Sequence, residues 1–222
     1  MGQAMEQSDW ASRWQQGQIG FHQPDFHPSL PRCWPGLGVA PGSTVFVPLC
    51  GRSLDMVWLS RQGHPVLGIE LSPIATAGFF THESIEPVIS ARDAFTVYAA
   101  PGYEILQGDF FDLTPGTTGP IHAWYDRAAL VALPPAMRRR YAGRLGGLLA
   151  PGARGLLVTL EYAQEKMDGP PFSVPVDEVH ALFDGGFDVE LLEREDVLAA
   201  NPRFAERGLD HLHEAVFRLE RR

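Results

Sequence analysis

Short apolar runs alternate along the chain with stretches whose apolar positions recur every three to four residues, and that alternation predicts most of the fold. Thr44–Leu49 is a continuous, β-branched apolar run that reads as a buried strand. Ser53–Gln62 follows as a helix, with Leu54, Val57, Trp58 and Arg61 at helical spacing; Gly63 and then Pro65 stop it. Pro65–Glu70 is a second strand, and Ser72-Pro73 supplies an N-cap and a first-turn proline for a helix to about Thr81. Glu104–Gln107 and His122–Asp126 read as the third and fourth strands. A long helix opens at Pro134-Pro135, runs through Leu149 and ends at Pro151-Gly152. Arg154–Leu160 is a fifth strand, a helix near Asp177–Phe183 stops at Gly185-Gly186, and Phe187–Glu193 and His211–Leu219 are closing strands.

Strands alternating with helices predict an α/β fold: a mostly parallel sheet with helices on both faces and the ligand crevice at the carboxyl ends of the strands. No helical pattern separates the last two strands, so they form an antiparallel pair at one edge. The whole chain, 1–222, is one domain. Residues 1–35 form an N-terminal extension whose Trp10, Trp14, Phe21, Phe26 and Trp34 are too aromatic for a disordered tail.

The turn after the first strand, "VFVPLCGRSLDM", gives the first chemical information. Gly51 allows close backbone approach, and the helix behind it points its amides back at the strand end. Glu70, about 20 residues on at the tip of an apolar strand, stands where nucleoside-binding folds place an acid on the ribose hydroxyls; an ordinary surface Glu is the alternative. The turn lacks the G-x-G-x-x-G that admits a pyrophosphate, and the chain has no Walker-type loop. A ligand without phosphates fits better than NAD or ATP, and S-adenosylmethionine is one.

Further along, "ILQGDFFDL" places Asp109 and Phe110 just past the third strand, an acid for an exocyclic amine and an aromatic for a purine face. No metal is expected: Asp112 is near, but no His or third acid joins it at ligand spacing. "WYDRAALVALPP" sets Asp126-Arg127 at the end of the fourth strand. They form either a salt bridge in a βα loop or the edge of a site, where Arg127 faces a cofactor carboxylate or an anionic substrate. Cys50 reads as a buried structural thiol rather than a nucleophile, and no nucleophile elbow occurs.

Composition narrows the class. The 222 residues are 45% hydrophobic and 20% charged, with a net charge of -9 and no basic run longer than Arg138–Arg140, which argues against nucleic-acid binding. Two cysteines outside any CxxC fit a reducing cytoplasm. The expectation is a monomeric cytoplasmic protein acting on a small molecule, without a signal peptide or a membrane span.

The ordered segments "RWQQGQIGFHQ", "VFVPLCGRSLDMVWL", "GHPVLGIELS", "GDFFDL", "YDRAALVAL" and "GPPFSVP" together resemble the bacterial members of the thiopurine S-methyltransferase family, from about Trp10 to the C-terminus. The resemblance implies a class I S-adenosylmethionine-dependent methyltransferase fold: a three-layer, doubly wound, seven-stranded sheet with its last strand antiparallel. It implies S-methylation of thiopurines or of aromatic and heterocyclic thiols by in-line displacement, with S-adenosylhomocysteine as product and xenobiotic or metalloid detoxification as setting. A related activity on selenium or tellurium compounds is the alternative. Residue by residue, it places Trp14, Leu49, Gly51, Glu70, Asp109, Phe110 and Arg127 at the cofactor, and Phe21 and Arg203 at the substrate. Arg127 is expected to favour a thiolate, with Asp126 or a water taking the proton. The N-terminal segment is expected to close as a lid.

Overall fold

In the computed structural model, the residues described are 14–16 and 23–222. Among them, nine strands form one sheet: β1 Val45–Val47, β2 Val66–Glu70, β3 Val88–Arg92, β4 Phe95–Ala100, β5 Tyr103–Gln107, β6 Ile121–Asp126, β7 Leu149–Glu161, β8 Phe187–Asp196 and β9 His213–Arg221. Their order is β3-β4-β5-β2-β1-β6-β7-β9-β8. β1 pairs in parallel with β2 on one side and β6 on the other, so the chain winds outward in both directions from β1. The reversal leaves a crevice beyond the carboxyl ends of these strands.

The sheet matches the expected class, including the antiparallel final strand, which lies between β7 and β8. The count is nine rather than seven. The extra pair is the hairpin β3–β4, turned through Asp93 at φ 52° and antiparallel to β5 through β4. β3 is an outer edge and carries exposed Val88 and Ile89.

Helices cover both faces: α1 Ser29–Cys33, α2 Asp55–Arg61, α3 Pro73–His82, α4 Pro115–Thr118, α5 Pro135–Leu148, α6 Val176–Phe183 and α7 Pro202–Glu206. The alternation of strand side chains sorts the core into two layers. Phe46, Leu67, Trp124, Leu157 and Phe217 point to the face covered by α5 and α6, where Tyr141, Leu145, Val179 and Phe183 are buried. Val45, Val47, Tyr125, Val158 and Val216 point to the opposite face, against Met56, Leu59, Phe79 and Phe80 of α2 and α3. Leu30, Trp34 and Leu37 also lie in that second layer, so the N-terminal extension is core from α1 onward. The expected lid falls largely on residues 1–13 and 17–22, which lie outside those described. None of the helices among the described residues is long and apolar enough to cross a membrane.

Candidate active site

The turn after β1 is held by β2. The Cys50 N–H donates to the Ile69 carbonyl at 3.0 Å, and Gly68 makes room for the thiol, since a Cβ there would lie 2.8 Å from Cys50 Sγ. Leu49 adopts φ 48° and Gly51 φ 53°. A left-handed leucine costs on the order of 1–3 kcal/mol and persists only where its surroundings over-determine it. The Glu70 carboxylate does part of this: Oε2 accepts from Gly51 N–H at 2.9 Å and Oε1 from Ser72 N–H at 2.7 Å. Burial pushes the Glu70 carboxyl above its ordinary pKa, while those backbone donors work against the rise. Cys50 is pushed well above the usual thiol value by burial and then by the Glu70 charge, so it is a packed thiol and no nucleophile.

Trp14 is buried beside this turn. A Cβ on Gly51 would meet its ring at 3.4 Å, and the Arg52 guanidinium sits 5.3 Å from the ring centroid. Arg52 crosses Gly78 of α3, where a Cβ would come within 2.8 Å of its Cδ. Its buried Nε finds no hydrogen-bond partner among the described residues. Asp109 caps the short turn Phe110–Asp112 by accepting from Phe111 N–H at 2.8 Å. The Phe110 ring is buried between Phe46, at 6.4 Å, and Tyr141, at 4.8 Å.

Leu49, Gly51, Arg52, Glu70, Asp109 and Phe110 all border one cavity of about 630 Å³, and Trp14, Arg127 and Arg203 border it too. Thus the structure brings together all the residues named for this site except two. Phe21 lies outside the described residues. Asp126 does not line the cavity, so the expectation that it takes the substrate's proton is corrected. It is 1% exposed, and its oxygens accept from Tyr141 O–H at 2.6 Å and from the N–H groups of Ala129 and Leu130 at 2.9 and 3.3 Å. Burial raises its pKa to about 6 against those donors and Arg127. It anchors the loop that carries Arg127.

The salt bridge considered for Asp126-Arg127 exists with a different acid. Arg127 Nε donates to Asp55 Oδ2 at 2.7 Å, in the first turn of α2. Burial opposes the Arg127 charge, but Asp55 chiefly holds its pKa above the ordinary arginine value. Arg203 and Arg207 border the same end of the cavity. Burial, then Arg207 and Arg127, pull the Arg203 guanidinium below its usual value, so this end of the cavity is positive.

Three residues that line the cavity, and one acid behind it, escaped the sequence reading. Asp55 lay within the turn motif itself, an acid in the first helical turn. His27, Arg207 and Glu214 carry no local pattern. His27 and Glu214 meet at 3.0 Å across 187 residues of sequence, and only the folded chain reveals that pairing.

Comparison with known proteins agrees with this architecture. A family profile described as Thiopurine S-methyltransferase (TPMT) matches residues 5–222. Proteins named thiopurine S-methyltransferase from Azotobacter vinelandii and Bordetella petrii are 49% and 48% identical, over 98% of this chain and 100% and 99% of theirs. Among solved structures, a Burkholderia thailandensis 1,6-didemethyltoxoflavin-N1-methyltransferase with S-adenosylhomocysteine superposes with a TM-score of 0.65 at 18% identity, covering 97% of this chain and 86% of that one. An S-adenosylmethionine-dependent methyltransferase from Thiobacillus denitrificans, bound to S-adenosylhomocysteine, gives 0.63 at 16% identity, covering 95% and 98%.

Proposed function

This chain belongs to the thiopurine S-methyltransferase family, and we propose that it transfers the methyl group of S-adenosylmethionine to the sulfur of thiopurines or of aromatic and heterocyclic thiols. One observation carries the reading. A carboxylate-tipped turn suited to an uncharged nucleoside and a cluster of guanidiniums suited to a thiolate open onto one cavity.

The residues present fit the cofactor. Glu70 offers a carboxylate for ribose hydroxyls at a strand tip, the Gly51 position leaves room for close approach, and Arg52 Nε is a donor without a partner among the described residues. When bound, S-adenosylmethionine supplies a methyl group already activated on a sulfonium. The chain's own task is orientation, charge placement and exclusion of water. Leu49 and Trp14 give the cofactor apolar walls, and Asp109 stands at the adenine end. Phe110 supports that end from inside the core rather than by offering a free ring face. Arg127 and Arg203 favour the ionised sulfur of the acceptor. Asp55 fixes the Arg127 fork, so Arg127 serves the substrate and the fold together. Removing it leaves a buried carboxylate unpaired, a loss of roughly 3–5 kcal/mol.

The test is transfer of radiolabelled methyl from S-adenosylmethionine to 6-mercaptopurine, thiophenol, selenite and tellurite. Label in the thioether of the first two is the expected result. Label confined to selenium or tellurium products would overturn the thiol assignment.

A further inference from the structure

His27 and Glu214 both border the cavity near Arg127, with His27 and Arg127 sharing Asp55 and the Glu214 charge acting on Arg127. Glu214 lies on β9 opposite Leu160 of β7, and on the same face as Val158 and Val216. Its Oε2 is 3.0 Å from His27 Nε2, with the two side chains 19% and 10% exposed. The opposite ring nitrogen fixes the direction of that bond. The Ser29 N–H points at His27 Nδ1 at 3.2 Å, and the Ser29 hydroxyl lies 2.7 Å from it. Nδ1 is therefore an acceptor, and Nε2 carries the proton and donates it to Glu214. The His27 backbone N–H is bound in turn to Asp55 Oδ1 at 2.7 Å, and Asp55 holds Arg127.

A histidine locked in this way orients its carboxylate partner and cannot itself accept a proton at Nε2. The charged and titratable groups around Glu214 are His27, Tyr125, Asp55 and Arg127, with Glu161 and His213 beside it along β7 and β9 and Glu195 directly opposite it on β8. Arg127 and Tyr125 both register its charge.

We infer that Glu214 is the catalytic proton acceptor for acceptors that arrive as thiols, with His27 as its positioning residue. This rests on the S-methylation reading. The S–H proton passes to Glu214, the sulfur electron pair forms the new S–CH3 bond, and the bond from that methyl to the sulfonium breaks with its pair staying on S-adenosylhomocysteine. Acceptors already ionised in water bypass the step.

The experiment compares Glu214→Gln with wild type on two thiols of different acidity, benzyl mercaptan and 4-nitrothiophenol. General-base catalysis is worth about 10²–10⁴-fold, so kcat/KM for benzyl mercaptan should fall by about 10²-fold or more, and that for 4-nitrothiophenol by only a few-fold. Glu214→Asp, which keeps a carboxylate, should recover part of the loss on benzyl mercaptan. A second readout needs no turnover. With S-adenosylhomocysteine bound, benzyl mercaptan should bind wild type without releasing a proton to buffer, and any thiolate that binds Glu214→Gln should release one, as calorimetry in buffers of different ionisation enthalpy reports. Equal loss on both thiols, with no recovery by Asp and identical proton release, overturns the assignment and leaves Glu214 a structural partner of His27. Failure of wild type to methylate either thiol overturns the thiol reading itself.

Discussion

Glu70 and Asp126 are both buried acids at strand tips, yet they face different work. Glu70 borders the cavity, so Glu70→Ala should weaken S-adenosylmethionine binding by roughly 10–100-fold, the worth of about 1.5–3 kcal/mol for bonds to a charged group. Calorimetric affinity equal to wild type would remove Glu70 from the cofactor. Asp126 faces inward, and its consequence is for folding. Its folded pKa of about 6 stands above the ordinary 3.8, so the folded chain binds that proton more tightly than the unfolded one. Its contribution is fully present below about pH 4 and is lost as pH rises to about 6. Asp126→Asn should therefore flatten the difference in denaturant stability across that window. A variant whose stability falls between pH 4 and 6 as steeply as wild type would refute the assignment. The paired acids Glu161 and Glu193, whose pKa values are lowered by Arg194 and Arg32, act in the opposite sense, which is why the comparison is with the variant.

At the scale of elements, the sequence disclosed strands and helices where apolar period and end signals agreed. Ser72-Pro73 marked the start of α3, and the Ser72 hydroxyl oxygen does accept from Ala75 N–H. In the hairpin, β3 went unread because Val88–Arg92 is almost wholly exposed, with no buried face to impose an apolar–polar alternation, whereas β4 buries Phe95 and Val97 on one face and its short alternation was overlooked. The site was legible where it lay in one turn or at a strand tip, as at Gly51, Glu70 and Arg127. It was illegible where strands distant in sequence had to meet, as His27 and Glu214 do. Packing between elements was equally hidden. Gly155 of β7 lies against the indole of Trp124 on β6, and a Cβ there would stand 2.0 Å from it. Trp124 is fully buried, so Gly155→Ala should destabilise the fold by about 1–3 kcal/mol or more. A denaturation midpoint unchanged from wild type would show that the ring has room to yield.

For the molecule as a whole, the two core layers meet the cavity at the switch around β1, so a ligand there is coupled to global unfolding. S-adenosylhomocysteine at 100 times its dissociation constant should add about 2.7 kcal/mol, a rise in melting temperature of roughly 5–10 °C for a chain of this size. NAD and ATP at the same concentration should add nothing, and stabilisation by NAD alone would refute the ligand class. The sheet that ends in charged β8 on one flank ends on the other in β3, whose outer backbone groups and exposed Val88 and Ile89 carry no cover among the described residues. An open flank of that kind is a template for strand-by-strand growth between molecules. Colloidal stability of concentrated enzyme is thus set far from the catalytic crevice, at a border where a lysine could be introduced without touching the chemistry.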